Sequence, residues 1–214
     1  MKNYDKQSTE HYLAFLVVGN TSVGKTSLIV RYVYDIFEET DIHKKTLKCS
    51  SLLKNDTLKE IFIENQCIHL QIHDMSGPEK YIFIHRICRK AQGILILYDI
   101  TNRDSFNSIQ LWMTQIDRIA NLGVVRILIG NKCDQNDNRA VTFEEGYLLA
   151  QQHGIKFFET SAKQSINIEN SFLFVARVIL EEQQQYRLNL QNNEKNQQLN
   201  IKQNKQSKNT KSCI

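Results

Sequence analysis

An α/β fold with a mostly parallel, doubly wound sheet is predicted by three observations. Short and nearly continuous apolar runs occur at Leu13 to Val18, Ile68 to Ile72, Ile94 to Ile100 and Val124 to Ile129, as expected of strands buried on both faces. Helical patterns separate most of these runs, and alternation of strand with helix argues for a parallel sheet. The segment Gly19-Asn20-Thr21-Ser22-Val23-Gly24-Lys25-Thr26 joins the first run to an amphipathic pattern, Ser27 to Tyr34. That is the strand, loop and helix setting of a phosphate-binding loop.

Taken along the chain, each element has a chemical reading. Glycines at both ends of the first loop let successive backbone N–H groups turn inward toward a polyphosphate, and the helix behind adds the positive end of its dipole. The expected phosphate contacts are Gly19, Thr21, Ser22, Val23, Gly24, Lys25, Thr26 and Ser27. Lys25 is placed to reach the β- and γ-phosphates, and the Thr26 hydroxyl to meet Mg²⁺, which takes hard oxygen ligands and keeps several waters. Ile61 to Ile68 looks like a hairpin with its turn near Asn65. Thr101-x-x-Asp104 reads as a capping box opening one helix that carries Phe106, Ile109, Trp112 and Ile116 at three- and four-residue spacing, a core-facing stripe.

The base is read by later segments. Asn131-Lys132-Cys133-Asp134 directly follows the fourth apolar run, and the Asp134 carboxylate can accept from both N1–H and the N2 amine of guanine. Adenine lacks that donor pair, so ATP would leave a buried carboxylate unpaired at a cost of about 1–3 kcal/mol. Glu159-Thr160-Ser161-Ala162-Lys163 follows a further strand-like stretch, Lys156 to Phe158, and its backbone N–H groups can face the guanine oxygen. All three motifs fall at the carboxyl ends of strands, where ligands of such sheets bind.

Composition bounds the remaining possibilities. At 214 residues and 41% hydrophobic, the chain accommodates one domain of about 170–180 residues and a tail. Against 23 Asp and Glu stand 27 Lys and Arg, a net charge of +4, which is too mild to make nucleic acid the main partner. The five cysteines are odd in number and lack close pairs, so neither a disulfide framework nor a zinc site is indicated, and a reducing, cytoplasmic setting is expected. Residues 1–10 have no apolar stretch of the signal-peptide kind, and no run reaches the length of a membrane span. His69 and His73 lie four residues apart, about 13 Å along a strand, too far to share one ion.

With these motifs in place the chain resembles the Rab branch of the Ras superfamily of small GTPases. The resemblance runs from about Tyr12 to Tyr186 and includes Gly93 to Asn102, then Ser105-Phe106 and Trp112. It implies about six strands and five helices, a monomer cycling between GTP- and GDP-bound shapes with Mg²⁺, and effector proteins and exchange factors as partners. It further implies that Phe37 packs on the guanine beside Asn131, Lys132, Asp134, Ser161, Ala162 and Lys163, that Thr26 and Asp74 hold Mg²⁺, Asp74 through a water, and that Lys25 and the Gly77 N–H act on the γ-phosphate.

Three departures from the family pattern stand out. Where the family has Asp-x-x-Gly-Gln-Glu, this chain reads Asp74-Met75-Ser76-Gly77-Pro78-Glu79. Proline replaces the glutamine that would orient the attacking water, and its ring restricts Gly77, so poor intrinsic hydrolysis is expected. In the first switch, the expected Mg²⁺-ligating threonine position is Lys44; Thr46 lies two residues on, while counting back from the hairpin points to Ser51. The third departure is the C-terminus, where Gln and Asn dominate and apolar content is low. The expected organisation is an extension at 1–11, a GTP-binding domain at 12–186 and a disordered tail at 187–214. Lys202, Lys205, Lys208 and Lys211 recur every third residue, a solvated run or a contact worth about 1 kcal/mol per charge on an anionic membrane. Cys213 stands alone one residue from the end, outside the CaaX pattern, and is the sole lipidation candidate in the tail. Two functions follow, a slow GTPase regulating vesicle traffic from the cytosolic face of endomembranes, and a non-hydrolysing GTP-binding module that scaffolds effectors. A nucleoside-phosphate kinase would need arginine clamps on a lid, for which the Asn-Lys-x-Asp motif leaves little room.

Overall fold

A computed structural model describes residues 11–37, 57–75 and 85–209, with side chains as far as residue 192. Strand β1, His11–Gly19, is buried at Leu13 and from Phe15 to Gly19, because it lies inside the sheet with parallel partners on both sides. It leads through the glycine loop into helix α1, Lys25–Tyr34. Strands β2, Thr57–Ile63, and β3, Gln66–Asp74, form an antiparallel hairpin. Its turn is Glu64 and Asn65, both at positive φ (49° and 62°), the conformation a two-residue hairpin turn needs. β2 has a single neighbour, β3, and so alternates buried and exposed residues.

The second half repeats strand and helix. Strand β4, Gly93–Asp99, is wholly buried. Helices α2, Arg103–Asn107, and α3, Ile109–Ile119, lead to β5, Val125–Asn131. Helix α4, Phe143–Gln152, connects to β6, Lys156–Thr160, and helix α5 spans Ile168–Asn209. The strand order is β2-β3-β1-β4-β5-β6, parallel throughout except for the hairpin. The chain leaves β1 for one side of the sheet and later crosses to the other, and the carboxyl end of β1 therefore sits at a switch in winding direction, where such sheets open a crevice.

Apolar layers cover both sheet faces. Leu16, Val18, Ile94, Ile96, Tyr98, Ile109, Met113, Ile116 and Leu128 form one buried cluster. On the other face Tyr32 of α1 stacks on Phe172 with ring centroids 3.9 Å apart, and Phe172 in turn lies 6.3 Å from Phe15. Each such side chain contributes about 1.5–3 kcal/mol on burial. This is what fixes the loops at the strand ends.

Two expectations change in the structure. Thr101 is not the cap of α2: its N–H and hydroxyl donate to Asp99 Oδ1 at 2.9 and 2.8 Å, and Asn102 Oδ1 accepts from the Ser105 N–H instead. The Asp99 carboxylate at the strand end captures Thr101 first. The single helix expected there is also two, meeting at Ser108, whose hydroxyl donates back to the Asp104 carbonyl at 2.8 Å; such back-bonding by serine loosens a helix.

The described residues divide into two compact units after Ala176. The second begins at Arg177 and is helical to Asn209, although low apolar content predicts a tail without structure from residue 187. Gln, Glu, Lys, Arg and Leu are good helix formers, and from Ile155 to Asn209 the sequence contains neither glycine nor proline. Among the described residues no helix is long and apolar enough to cross a membrane.

Candidate nucleotide-binding site

The loop after β1 is shaped by close approach to neighbouring strands. Gly24 takes φ 95° and Gly19 φ 140°. A Cβ on Gly24 would lie 2.3 Å from Asn131 Nδ2, and one on Gly19 2.2 Å from the Leu97 carbonyl oxygen, so only glycine fits at either end. Between them Ser22 stands at φ 66°, a left-handed conformation that is strained for a side-chain-bearing residue and common at ligand clamps. Gly24 is also the residue before α1 and has no side chain with which to cap it. The helix thus presents its first N–H groups toward the loop.

Lys25 is 5% exposed and folds its ammonium back across the loop, donating to the Gly19 and Asn20 carbonyls at 2.8 and 2.7 Å. Thr21 and Ser22 are exposed, Val23 is buried and Ser27 half-buried. The Thr26 hydroxyl donates to Asp74 Oδ2 at 2.6 Å. Thus the carboxyl end of β3 and the first turn of α1 meet.

Asn131, 1% exposed, joins the base-reading and phosphate segments. Its Nδ2 donates to the Val23 carbonyl at 2.8 Å, and its Oδ1 accepts from the Thr160 hydroxyl at 3.1 Å. Lys132 follows at φ 67° with its ammonium 2.6 Å from Asp99 Oδ2. Asp134 is oriented by the Ser161 hydroxyl, which donates to Oδ1 at 2.6 Å and accepts from the Gln164 N–H at 3.0 Å. The Cys133 N–H donates to the Thr160 carbonyl at 3.0 Å. Burial, chiefly, pushes the Cys133 thiol up, so this cysteine is a packed spacer in the motif. Behind it Arg139 and Glu159 form a two-bond pair at 2.6 and 3.0 Å, bracing the loop after β5 against β6.

The carboxyl ends of β1, β3, β5 and β6 therefore bring together Lys25, Thr26, Asp74, Asn131, Lys132, Asp134, Ser161 and Ala162. Phe37 and Lys163 are reached through Arg31 of α1. The Arg31 guanidinium lies 5.9 Å from the Phe37 ring centroid and donates to the Ala162 and Lys163 carbonyls at 2.8 and 3.3 Å. Gly77, Pro78, Lys44, Thr46, Ser51, Lys211 and Cys213 lie outside the described residues.

Several contributors carry no motif. Arg31 is one and Asp99 another, while Thr160 lies inside a motif whose reading gave it no role. Asn20 lies within the loop, but its partners do not: its Nδ2 donates to Ser108 Oγ, and the Trp112 indole N–H donates to its Oδ1, each at 2.9 Å. Trp112, expected only to fill the core, is also a brace for the phosphate loop.

A glycine loop between β1 and α1, answered by base-reading segments after β5 and β6, defines a P-loop nucleotide-binding protein of the small GTPase class. Residues 14–181 match the Ras family. The chain is 41% identical over 172 residues to Ras-related protein Rab-13 of Canis lupus familiaris, covering 80% of this chain and 81% of that one. It is 39% identical over 180 residues to Rab-10 of Diplobatis ommata (82% and 85%) and 39% over 179 to Rab-8A of Rattus norvegicus (83% and 81%). The chain belongs to the Ras family and is a Rab-type, GTP-binding small GTPase.

Proposed function

We propose that this chain is a guanine-nucleotide switch of intracellular vesicle traffic whose binding half is intact and whose intrinsic hydrolysis is impaired. One observation carries the binding half: Asn131 bonds the Val23 carbonyl, so the phosphate loop and the segment that presents Asp134 are one unit. Within it, backbone N–H groups from Thr21 to Thr26 and the Lys25 ammonium serve the phosphates. Asp134, held by Ser161, accepts the two guanine donors, and Ala162 offers its N–H to the guanine oxygen. A hydroxyl and a carboxylate oxygen 2.6 Å apart beside the loop, Thr26 and Asp74, are the hard donors that Mg²⁺ takes together with water and phosphate. Held there, Mg²⁺ would supply positive charge against the polyphosphate.

The hydrolytic half rests on the sequence. Pro78 has no amide with which to hold a water, and it supports a second function, a GTP-binding module that recruits effectors without turnover. Family membership favours regulated exchange and effector binding by a monomer on endomembranes. The lysines at 202, 205, 208 and 211 with Cys213 supply a basic patch and one lipid site, the two signals that stable attachment needs. Fractionation of the native protein beside Cys213→Ser tests this: an equally cytosolic distribution of both, with Cys213 unmodified by intact mass, rules the anchor out.

The deciding experiment is a fluorescent-nucleotide titration. GTP and GDP are expected to bind far more tightly than ATP, and Asp134→Asn to weaken guanine while rescuing xanthine nucleotides, whose 2-position is an acceptor. Equal affinity for ATP would remove the guanine assignment.

A further inference from the structure

Arg31 makes more long-range contacts at this site than any motif explains. It lies in the last turn of α1 with its side chain 15% exposed. Toward the guanine loop, Nε donates to the Ala162 carbonyl at 2.8 Å and Nη2 to the Lys163 carbonyl at 3.3 Å. Toward the end of α1, Nη1 donates to the Asp35 carbonyl and to Asp35 Oδ1, both at 3.0 Å. The same guanidinium lies over the Phe37 ring at 5.9 Å. Asp35 closes α1 at φ 54° and hands the chain to Phe37.

We propose that Arg31 is a positioning residue for guanine retention and the link through which the entrance to the first switch controls that retention. The proposal rests on the guanine assignment made above. A planar guanidinium has five donors in a rigid fork, and here the fork spans two chain segments that have no common neighbour in sequence. The Ala162 and Lys163 carbonyls share their peptide planes with the N–H groups of Lys163 and Gln164, so by holding both it fixes the backbone directly after the Ala162 N–H and steadies the direction in which that N–H faces the guanine oxygen. Its other edge holds Asp35. A displacement of residues 35–37 draws on the same group that steadies the base, so movement at the switch entrance loosens guanine without touching it. Lysine cannot replace this function, because a single ammonium does not bridge both segments in fixed geometry.

The test is the dissociation rate of GDP and of 6-thioguanosine diphosphate, which keeps the N1–H and N2 amine that Asp134 reads but replaces the guanine oxygen with a weakly accepting sulfur, from native protein, Arg31→Lys, Arg31→Met and Asp35→Ala. GDP release is expected to quicken about tenfold or more in both Arg31 variants, as losing a charged hydrogen bond implies, while release of the analogue changes much less. Asp35→Ala, which spares the Ala162 and Lys163 contacts, is expected to give a smaller acceleration of the same selectivity. If both nucleotides leave faster by the same factor, or if Arg31→Lys behaves as native, Arg31 is a structural residue and the proposal fails. Thermal melting of each variant identifies a variant that has lost its fold, in which case Asp35→Ala decides: an unchanged GDP rate there also overturns the proposal. A native protein that binds no GDP at all is a separate outcome, and sinks the guanine assignment itself.

Discussion

The Nδ2 of Asn131 donates to the carbonyl of Val23 at 2.8 Å, across 108 residues of chain. Removing that amide should unlock the loop. Asn131→Ala leaves the Val23 carbonyl and the Thr160 hydroxyl buried without this partner and is expected to destabilise the fold by about 2–3 kcal/mol in urea denaturation. Asn131→Asp should be at least as harmful despite its equal size, because a carboxylate oxygen would then face the carbonyl. Stability equal to native in both variants would show that the tie is not structural.

Gly24→Ala should abolish nucleotide binding. The new Cβ would meet Asn131 Nδ2 at 2.3 Å, and φ 95° is foreign to alanine, together costing at least about 2 kcal/mol. A circular-dichroism melt and a GDP titration measure the two losses; a variant that melts and binds like native would contradict the tight cradle.

Acid sensitivity should include Glu145. Its hydrogen bonds, first from Arg103 and then from the Thr142 N–H, hold the carboxyl at about 2, below its ordinary 4.5. A carboxyl depressed in the folded state stabilises fully above pH 4.5 and loses that contribution as pH falls toward about 2. Both side chains are about two-fifths exposed (42% and 40%), so solvent screens the pair and the effect is small. Urea midpoints should therefore drop less steeply between these pH values in Glu145→Gln than in native protein, with the curves parallel at alkaline pH. Identical acid limbs would remove the pair from the account.

Pro78→Gln should raise single-turnover GTP hydrolysis. Ras-type enzymes turn over unaided at roughly 10⁻⁴ s⁻¹ with the water-orienting glutamine present, and the native chain is expected to fall below that. A native rate on that scale, unchanged by the substitution, would show Pro78 to be no lesion and leave the slow GTPase function in place of the non-hydrolysing one.

What the sequence by itself determined is local or periodic. Gly19 to Thr26 and Asn131 to Asp134 are contiguous segments whose chemistry is written in residue type and spacing, and the apolar runs that became β1, β4 and β5 are buried on both faces and so carry a nearly unbroken signal, while β3 buries Ile68, Leu70 and Ile72 in alternation with half-buried polar residues. The hairpin turn at Asn65 was legible for the same reason. Tertiary structure decided the rest, because the partners are distant in the chain: Arg31 and Ala162 lie 131 residues apart, and Trp112 and Asn20 lie 92. It also settled local contests that spacing leaves open. Thr101 and Asn102 are both good caps, and the choice fell to Asn102 because the Asp99 carboxylate had already engaged Thr101. From residue 187 to Asn209 the low apolar content argued against order, yet the backbone is helical, since helix propensity is a property of the backbone and its own side chains and does not require a core.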